Sequence, residues 1–230
     1  MANANDPRQN DFLASMPASV WTPLSTHLEF VEMEPGDVLY ESGRELKYFY
    51  FPTTSIVSLL YAMEDGAAPE IAVVGKEGVI GIALYSDDDG NPIRAEVQSR
   101  GQGYRLRARY LAEAADQSGE LLQLLLNYTK SVMRQMVQTA VANGYHSIEQ
   151  RLCRRLLLGL DRLQSNQISM THEVIASVLG VRREGVTEAA RKLQSAGLIE
   201  YSRGKITVID RPGLEARARG CYHGHVAQYA

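Results

Sequence analysis

The sequence predicts an α+β chain: an N-terminal antiparallel β-roll of jelly-roll type, a long dimerisation helix and a C-terminal winged helix-turn-helix. Three observations carry this. Short β-prone runs broken by turn residues fill residues 28–106, and a sustained helical periodicity follows them. Between Thr171 and Ala190 a cap, a glycine turn and two apolar faces fall at the spacing of two short helices packed across a tight turn. On this reading residues 1–119 form the roll, 120–145 the long helix and hinge, and 146–230 the C-terminal domain.

The roll is read from its punctuation. Glu34-Pro35-Gly36-Asp37 is a turn, Val38-Leu39-Tyr40 is apolar, and Glu41-Ser42-Gly43 turns again. Tyr48 to Pro52, Ser55 to Tyr61 and Ile71 to Val74 are further strand candidates; Gly75, Gly78 and Gly81 punctuate the stretch after them, and Asp87 to Pro92 is a loop. The helical region breaks at Ser118-Gly119, and a long helix begins near Glu120. Two apolar stripes run along it. Leu122, Leu126, Thr129, Met133, Met136 and Ala140 follow a 4-3-4-3-4 spacing, with Leu121, Leu125, Tyr128 and Val132 beside them. One stripe packs on the roll and the other seeks a second helix, which implies a homodimer. Asn143-Gly144 is read as the stop, and Ser147-Ile148-Glu149-Gln150 as a capping box opening the next helix.

In the C-terminal domain Thr171 is the expected N-cap, with Glu173 in the first turn and Met170 and Ile175 as a hydrophobic staple. Gly180 falls where the turn needs positive φ. Val186, Ala189, Ala190 and Leu193 form the buried face of the second helix. Arg183, Glu184, Thr187 and Glu188 share the opposite face, near the helix N-terminus. These residue types suit base edges: arginine bonds guanine O6 and N7, glutamate accepts from cytosine N4, and threonine reaches a base or a thymine methyl. Leu198 to Tyr201 and Lys205 to Ile209 are β-prone, and Ser202-Arg203-Gly204 between them reads as a hairpin turn, a wing with Arg203 and Lys205 at its tip for phosphates. Thr171, His172 and Arg182 complete the candidate DNA contacts.

Bulk properties agree. A length of 230 residues allows two small domains, and 45% hydrophobic with 22% charged residues is ordinary for a soluble globular chain. Met1 to Met16 lacks a basic segment followed by an apolar one, and no run is long enough to cross a bilayer, so a cytoplasmic chain with no membrane partner is expected. The net charge of −3 divides unevenly. Residues 1–145 hold 11 Lys/Arg against 19 Asp/Glu, a balance of −8, and residues 146–230 hold 13 against 8, a balance of +5. The back half is therefore expected to meet a polyanion, double-stranded DNA. Cys153 and Cys221 are far apart in sequence and in dissimilar surroundings, which gives no disulfide framework.

With these residues in place the chain resembles the CRP/FNR superfamily of transcription regulators over nearly its whole length. Glu34-Pro35-Gly36-Asp37 with Tyr40 and Gly43 looks like the opening turn of that family's roll, and Thr171 to Gly197 like its DNA-reading unit. The resemblance implies a homodimer on a pseudo-palindromic operator, RNA polymerase as a further partner, and a small-molecule effector in the roll. Effector-pocket candidates are Gly78, Gly81 and Arg94. Where cyclic-AMP binders carry a ribose-binding acid after the glycine, this chain has Gly78-Val79-Ile80-Gly81. Where they carry an arginine-serine pair it has Ile93-Arg94-Ala95, with the arginine shifted by one, and Met136 and Val137 stand where polar groups would meet the base. Cyclic AMP is not expected; an unidentified small anion or nucleotide gating the same architecture is the alternative. At the reading head, Glu188 stands where many relatives place arginine, and Arg182 replaces a capping serine with a phosphate-directed charge.

No Cys or His lies between Leu28 and Tyr145, so no metal, haem or iron–sulfur cofactor is expected in the roll. A cupin-like enzyme would need a His-rich metal motif there, and no catalytic residues are assigned. Cys221, His223 and His225 are read as a disordered tail rather than a ligand set.

Overall fold

The computed structural model describes residues 6–82, 92–163 and 165–222. Two compact units result. One comprises residues 6–59 and 74–134; the other joins residues 60–73 to residues 135–222.

In the first unit the chain starts with two short helices, α1 (Asp11–Ala14) and α2 (Ala18–Ser25), that the polar N-terminus does not advertise. Asn10 explains their position. It is fully buried; its carbonyl oxygen caps α1 by accepting from Leu13 N, and its amide donates to the carbonyls of Pro52 and Gly78, each at 2.8 Å. The roll strands are β1 (Glu29–Met33), β2 (Val38–Tyr40), β3 (Tyr48–Pro52), β4 (Ile56–Tyr61), β5 (Glu70–Val74), β6 (Ile93–Ser99) and β7 (Gly101–Arg107). They form antiparallel pairings in two sheets, ordered β1-β7-β3 and β2-β6-β4-β5. At the predicted turn, Gly36 takes φ +92° and Asp37 Oδ2 accepts from Glu34 N. Of the loop read at Asp87 to Pro92, residues 87–91 lie outside the described ones.

After α3 (Ala108–Gln117) the chain breaks at Ser118 and enters α4 (Gly119–Tyr145). The predicted stop at Asn143-Gly144 is corrected by the structure. Gly144 stays helical, His146 N still donates to Ala142 O, and α4 ends only where Ser147 caps the next helix. Leu121 and Tyr128 are buried with Phe12, Phe51, Tyr104 and Leu106, whereas Leu122, Leu126, Met133, Val137 and Ala140 are exposed. Thr129 and Met136 sit half-buried at the edge of that exposed stripe.

The second unit is built on α5 (Ile148–Leu160), opened by the predicted Ser147/Gln150 capping box. It continues through β8 (Gln167–Ser169), α6 (His172–Leu179), α7 (Arg183–Ser195), β9 (Ile199–Ser202), β10 (Lys205–Val208) and α8 (Arg211–Arg217). The strands form a small sheet ordered β8-β10-β9. Leu152, Leu156, Ile175, Val186, Leu193, Ile206 and Leu214 share one core.

Cys153 and Cys221 belong to that same core, both as free thiols, so their surroundings are alike rather than dissimilar. Burial pushes the Cys153 thiol up to about 12 and also raises that of Cys221. The reading of Cys221 as tail is likewise corrected. It is 4% exposed, and the neighbouring Tyr222 hydroxyl donates to the Asp161 carboxylate at 2.8 Å. His223 and His225 lie outside the described residues. Among the described residues no helix is long and apolar enough to cross a membrane.

Candidate nucleic-acid interface

The turn between α6 and α7 is set by three residues. Thr171 caps α6 by accepting from Val174 N, Gly180 ends it in the left-handed region at φ 62°, and Val181 N then donates back to Ala176 O. Gly185 permits close packing of α7, because a Cβ there would come 2.7 Å from Ile148 Cδ1. Gly180→Ala is expected to cost about 1–2 kcal/mol by placing a Cβ in left-handed backbone, read as a lower midpoint in urea with an unchanged slope.

One face of α7 is buried through Val186, Ala189, Ala190 and Leu193, all at 4% exposure or less. The opposite face presents Arg183, Glu184, Thr187 and Glu188 to solvent. Arg182 precedes the helix without making a side-chain cap bond. The Arg183 guanidinium is two-thirds exposed and only loosely paired, 3.8 Å from Glu173. Glu188 is held by Lys192 one turn on, at 2.9 Å, and that ammonium keeps the Glu188 carboxyl below the usual carboxylate range.

The Thr187 hydroxyl donates to the Arg183 carbonyl and sits 3.0 Å from His172 Nδ1, so its proton is engaged within the protein. With that proton used, His172 Nδ1 is the donor to Thr187. The imidazole also stacks on Tyr201 at 4.2 Å. Burial, then the charge of Arg183, depresses the His172 pKa. His172 thus ties α6, α7 and the wing together.

The wing turn is tighter than predicted. Ser202 pairs with Lys205, leaving Arg203 (φ 49°) and Gly204 (φ 79°) as a two-residue turn with both φ values positive, as a type I′ hairpin requires. Arg203 and Lys205 are exposed at its tip. Beside α7 lies a cleft of about 400 Å³ lined by His172, Thr187, Arg191, Gln194 and Tyr201. Arg191 and Gln194 continue the outward face at i+4 and i+7 from Thr187. Sequence reasoning missed them, although that spacing marks them.

The effector-pocket candidates are not brought together as a polar site. A Cβ on Gly78 would come within 2.4 Å of the Tyr128 hydroxyl, so the ring of Tyr128 occupies the space over it. Gly81 takes φ 119° against Phe49 and Leu46. Along β6, Ala95 and Val97 are buried while Arg94 and Glu96 alternate with them to the other face. Arg94 is committed there to Glu96 at 2.8 Å, with Glu41 at 3.9 Å. The one-residue shift has turned the arginine away from the face that Ala95 occupies.

Comparison with known proteins agrees with this geometry. Residues 150–217 match the Crp-like helix-turn-helix domain family. No curated protein sequence matches the chain. Among solved structures, a Crp/Fnr-family transcriptional regulator from Eubacterium rectale superposes with a TM-score of 0.74 at 17% identity, covering 93% of this chain and 100% of its own. FixK2 from Bradyrhizobium japonicum gives 0.69 at 18% identity, covering 86% and 99%. A CRP/FNR-family regulator from Thermus thermophilus gives 0.66 at 23% identity, covering 84% and 99%. At these identities the likeness is one of fold.

Proposed function

We propose, from the match of residues 150–217 to the Crp-like helix-turn-helix domain family and the likeness of fold to Crp/Fnr-family regulators, that the protein is a homodimeric regulator reading a pseudo-palindromic operator. The observation that carries the reading is the split of α7. One face is sealed into the core; the other offers Arg183, Glu184 and Glu188, with the exposed cations of the wing nearby in the same domain. Such an arrangement separates base reading from phosphate positioning. The exposed apolar stripe of α4 supports the second copy, and RNA polymerase follows as the machinery on which a regulator of this class acts. Buried Val79 and Ala95, with Arg94 already paired, leave cyclic AMP without its polar partners.

The test is selection of binding sites from random duplex DNA, with and without cyclic AMP. The expected product is two inverted half-sites with centres roughly 34 Å apart, or one helical turn, enriched equally in both pools. Calorimetry is expected to show no micromolar binding of cyclic AMP. A product with a single half-site, or enrichment only with the nucleotide, would overturn the proposal.

A further inference from the structure

Three arginines on α5, Arg151, Arg154 and Arg155, line one small cavity of about 20 Å³ together with Glu70, Thr139 and Asn143. All six residues belong to the unit that carries α7. Arg154 is 7% exposed and Arg155 3%.

Their donors are incompletely answered. Arg155 Nε forms an ion pair with Glu70 Oε1 at 2.8 Å without hydrogen-bond geometry, and among the described residues neither Arg155 Nη2 nor Arg151 Nε has a hydrogen-bond partner. Arg154 donates to the Thr139 hydroxyl at 3.1 Å, and Arg151 to the Leu179 carbonyl. Those acceptors are neutral and cancel no charge. The carboxylates at either end of α5 are engaged elsewhere, Glu149 with Arg217 and Asp161 with Arg211. Among the described residues Glu70 is therefore the one carboxylate lining a cavity that three guanidinium groups also line.

A guanidinium cannot escape burial by releasing its proton, so the excess positive charge persists and its desolvation stays uncompensated. Burial lowers the pKa of both Arg151 and Arg154, the direction expected of charges held out of water. The cavity has room for one water or one monatomic ion. Water would answer the free donors but leave the charge; an anion answers both. Glu70 lies against Arg155 Nε, so Nη2 remains for a second negative partner.

We infer that this cavity is a binding site for a single small inorganic anion of halide size, held by Arg151, Arg154 and Arg155. Because Arg151 also bonds the last turn of α6, the bound ion braces α5 against the helix-turn-helix.

The test uses the full chain, melted in sodium chloride and in sodium gluconate at equal ionic strength, with bromide-soaked crystals as an independent readout. Chloride is expected to raise the melting temperature saturably, by about 2–4 °C at roughly five times its dissociation constant. Arg154→Met is expected to remove the chloride-specific part, and Glu70→Gln to bring saturation at lower chloride. Bromide is expected to give an anomalous peak in the cavity of the wild-type protein, which decides the matter even if Arg154→Met does not fold. No bromide peak, or a chloride effect undiminished in folded Arg154→Met, would overturn the inference.

Discussion

Replacing Met133 and Val137 with glutamate is expected to turn a dimer into monomers and weaken operator binding by about 10²–10⁴-fold, because the two reading heads then bind independently. Both side chains are largely exposed in the single chain, at 60% and 62%, and they continue the stripe begun by Leu122 and Leu126. A run of bare apolar residues on a 27-residue helix is the surface on which the proposed homodimer would pair. A second copy laid parallel would cover it, and glutamates there would be buried without counter-charges. Since neither side chain is packed in the monomer, the variant's far-UV circular dichroism should match that of the wild type. Sedimentation velocity at micromolar concentration is the measurement; a wild-type protein that sediments as a monomer would refute the assembly. The structure also refines the choice of residue. The heptad spacing nominates Met136, but Met136 is half-buried at the stripe's edge while Val137 faces out.

That refinement shows where sequence reasoning stops. The helix-turn-helix was legible because its requirements are local: Thr171, Gly180 and the Val186/Ala189/Ala190/Leu193 face all lie within 23 residues, and each has a fixed offset. Turn residues between β-prone runs marked β2 to β5 of the roll in the same way. Elements held by distant partners gave little signal. Residues Asp11–Ala14 make barely one turn, fixed by distant partners: Asn10 reaches Pro52 and Gly78, Asp11 N donates to the Lys76 carbonyl, and Phe12 and Leu13 are buried in the core. Strand β8 has three residues, of which only Ile168 is buried, so no period can be read from it. Gly144 was read as a stop from residue type alone, whereas the capping box at Ser147 decides where α4 can end. The ion pair of Glu70 with Arg155 spans 85 positions and leaves no trace in local pattern. At the reading head the face was legible but the hydrogen-bond bookkeeping was not. Thr187 belongs to the predicted face, yet its hydroxyl is turned to Arg183 and His172.

With the Thr187 hydroxyl engaged, the proposed base reading falls more heavily on Arg183 and Glu184, and this gives a sharp division of labour to test. Arg183→Ala is expected to cost about 1–3 kcal/mol on the preferred operator and to relax the preference at one guanine in each half-site. The side chain is two-thirds exposed and its nearest carboxylate is 3.8 Å away, so it is free to exchange that contact for a base edge. Lys205→Ala should weaken all sequences nearly alike and lower the salt slope by about one ion per subunit, because an exposed wing cation meets phosphate. Glu188→Arg removes the carboxylate that Lys192 now holds and presents a guanidinium at the same helix position. It should therefore shift the preferred half-site towards a guanine. Affinities across single-base operator variants at two salt concentrations separate these effects. The recognition face would be misassigned if Arg183→Ala lost the same affinity on every variant while Lys205→Ala altered the order of preference.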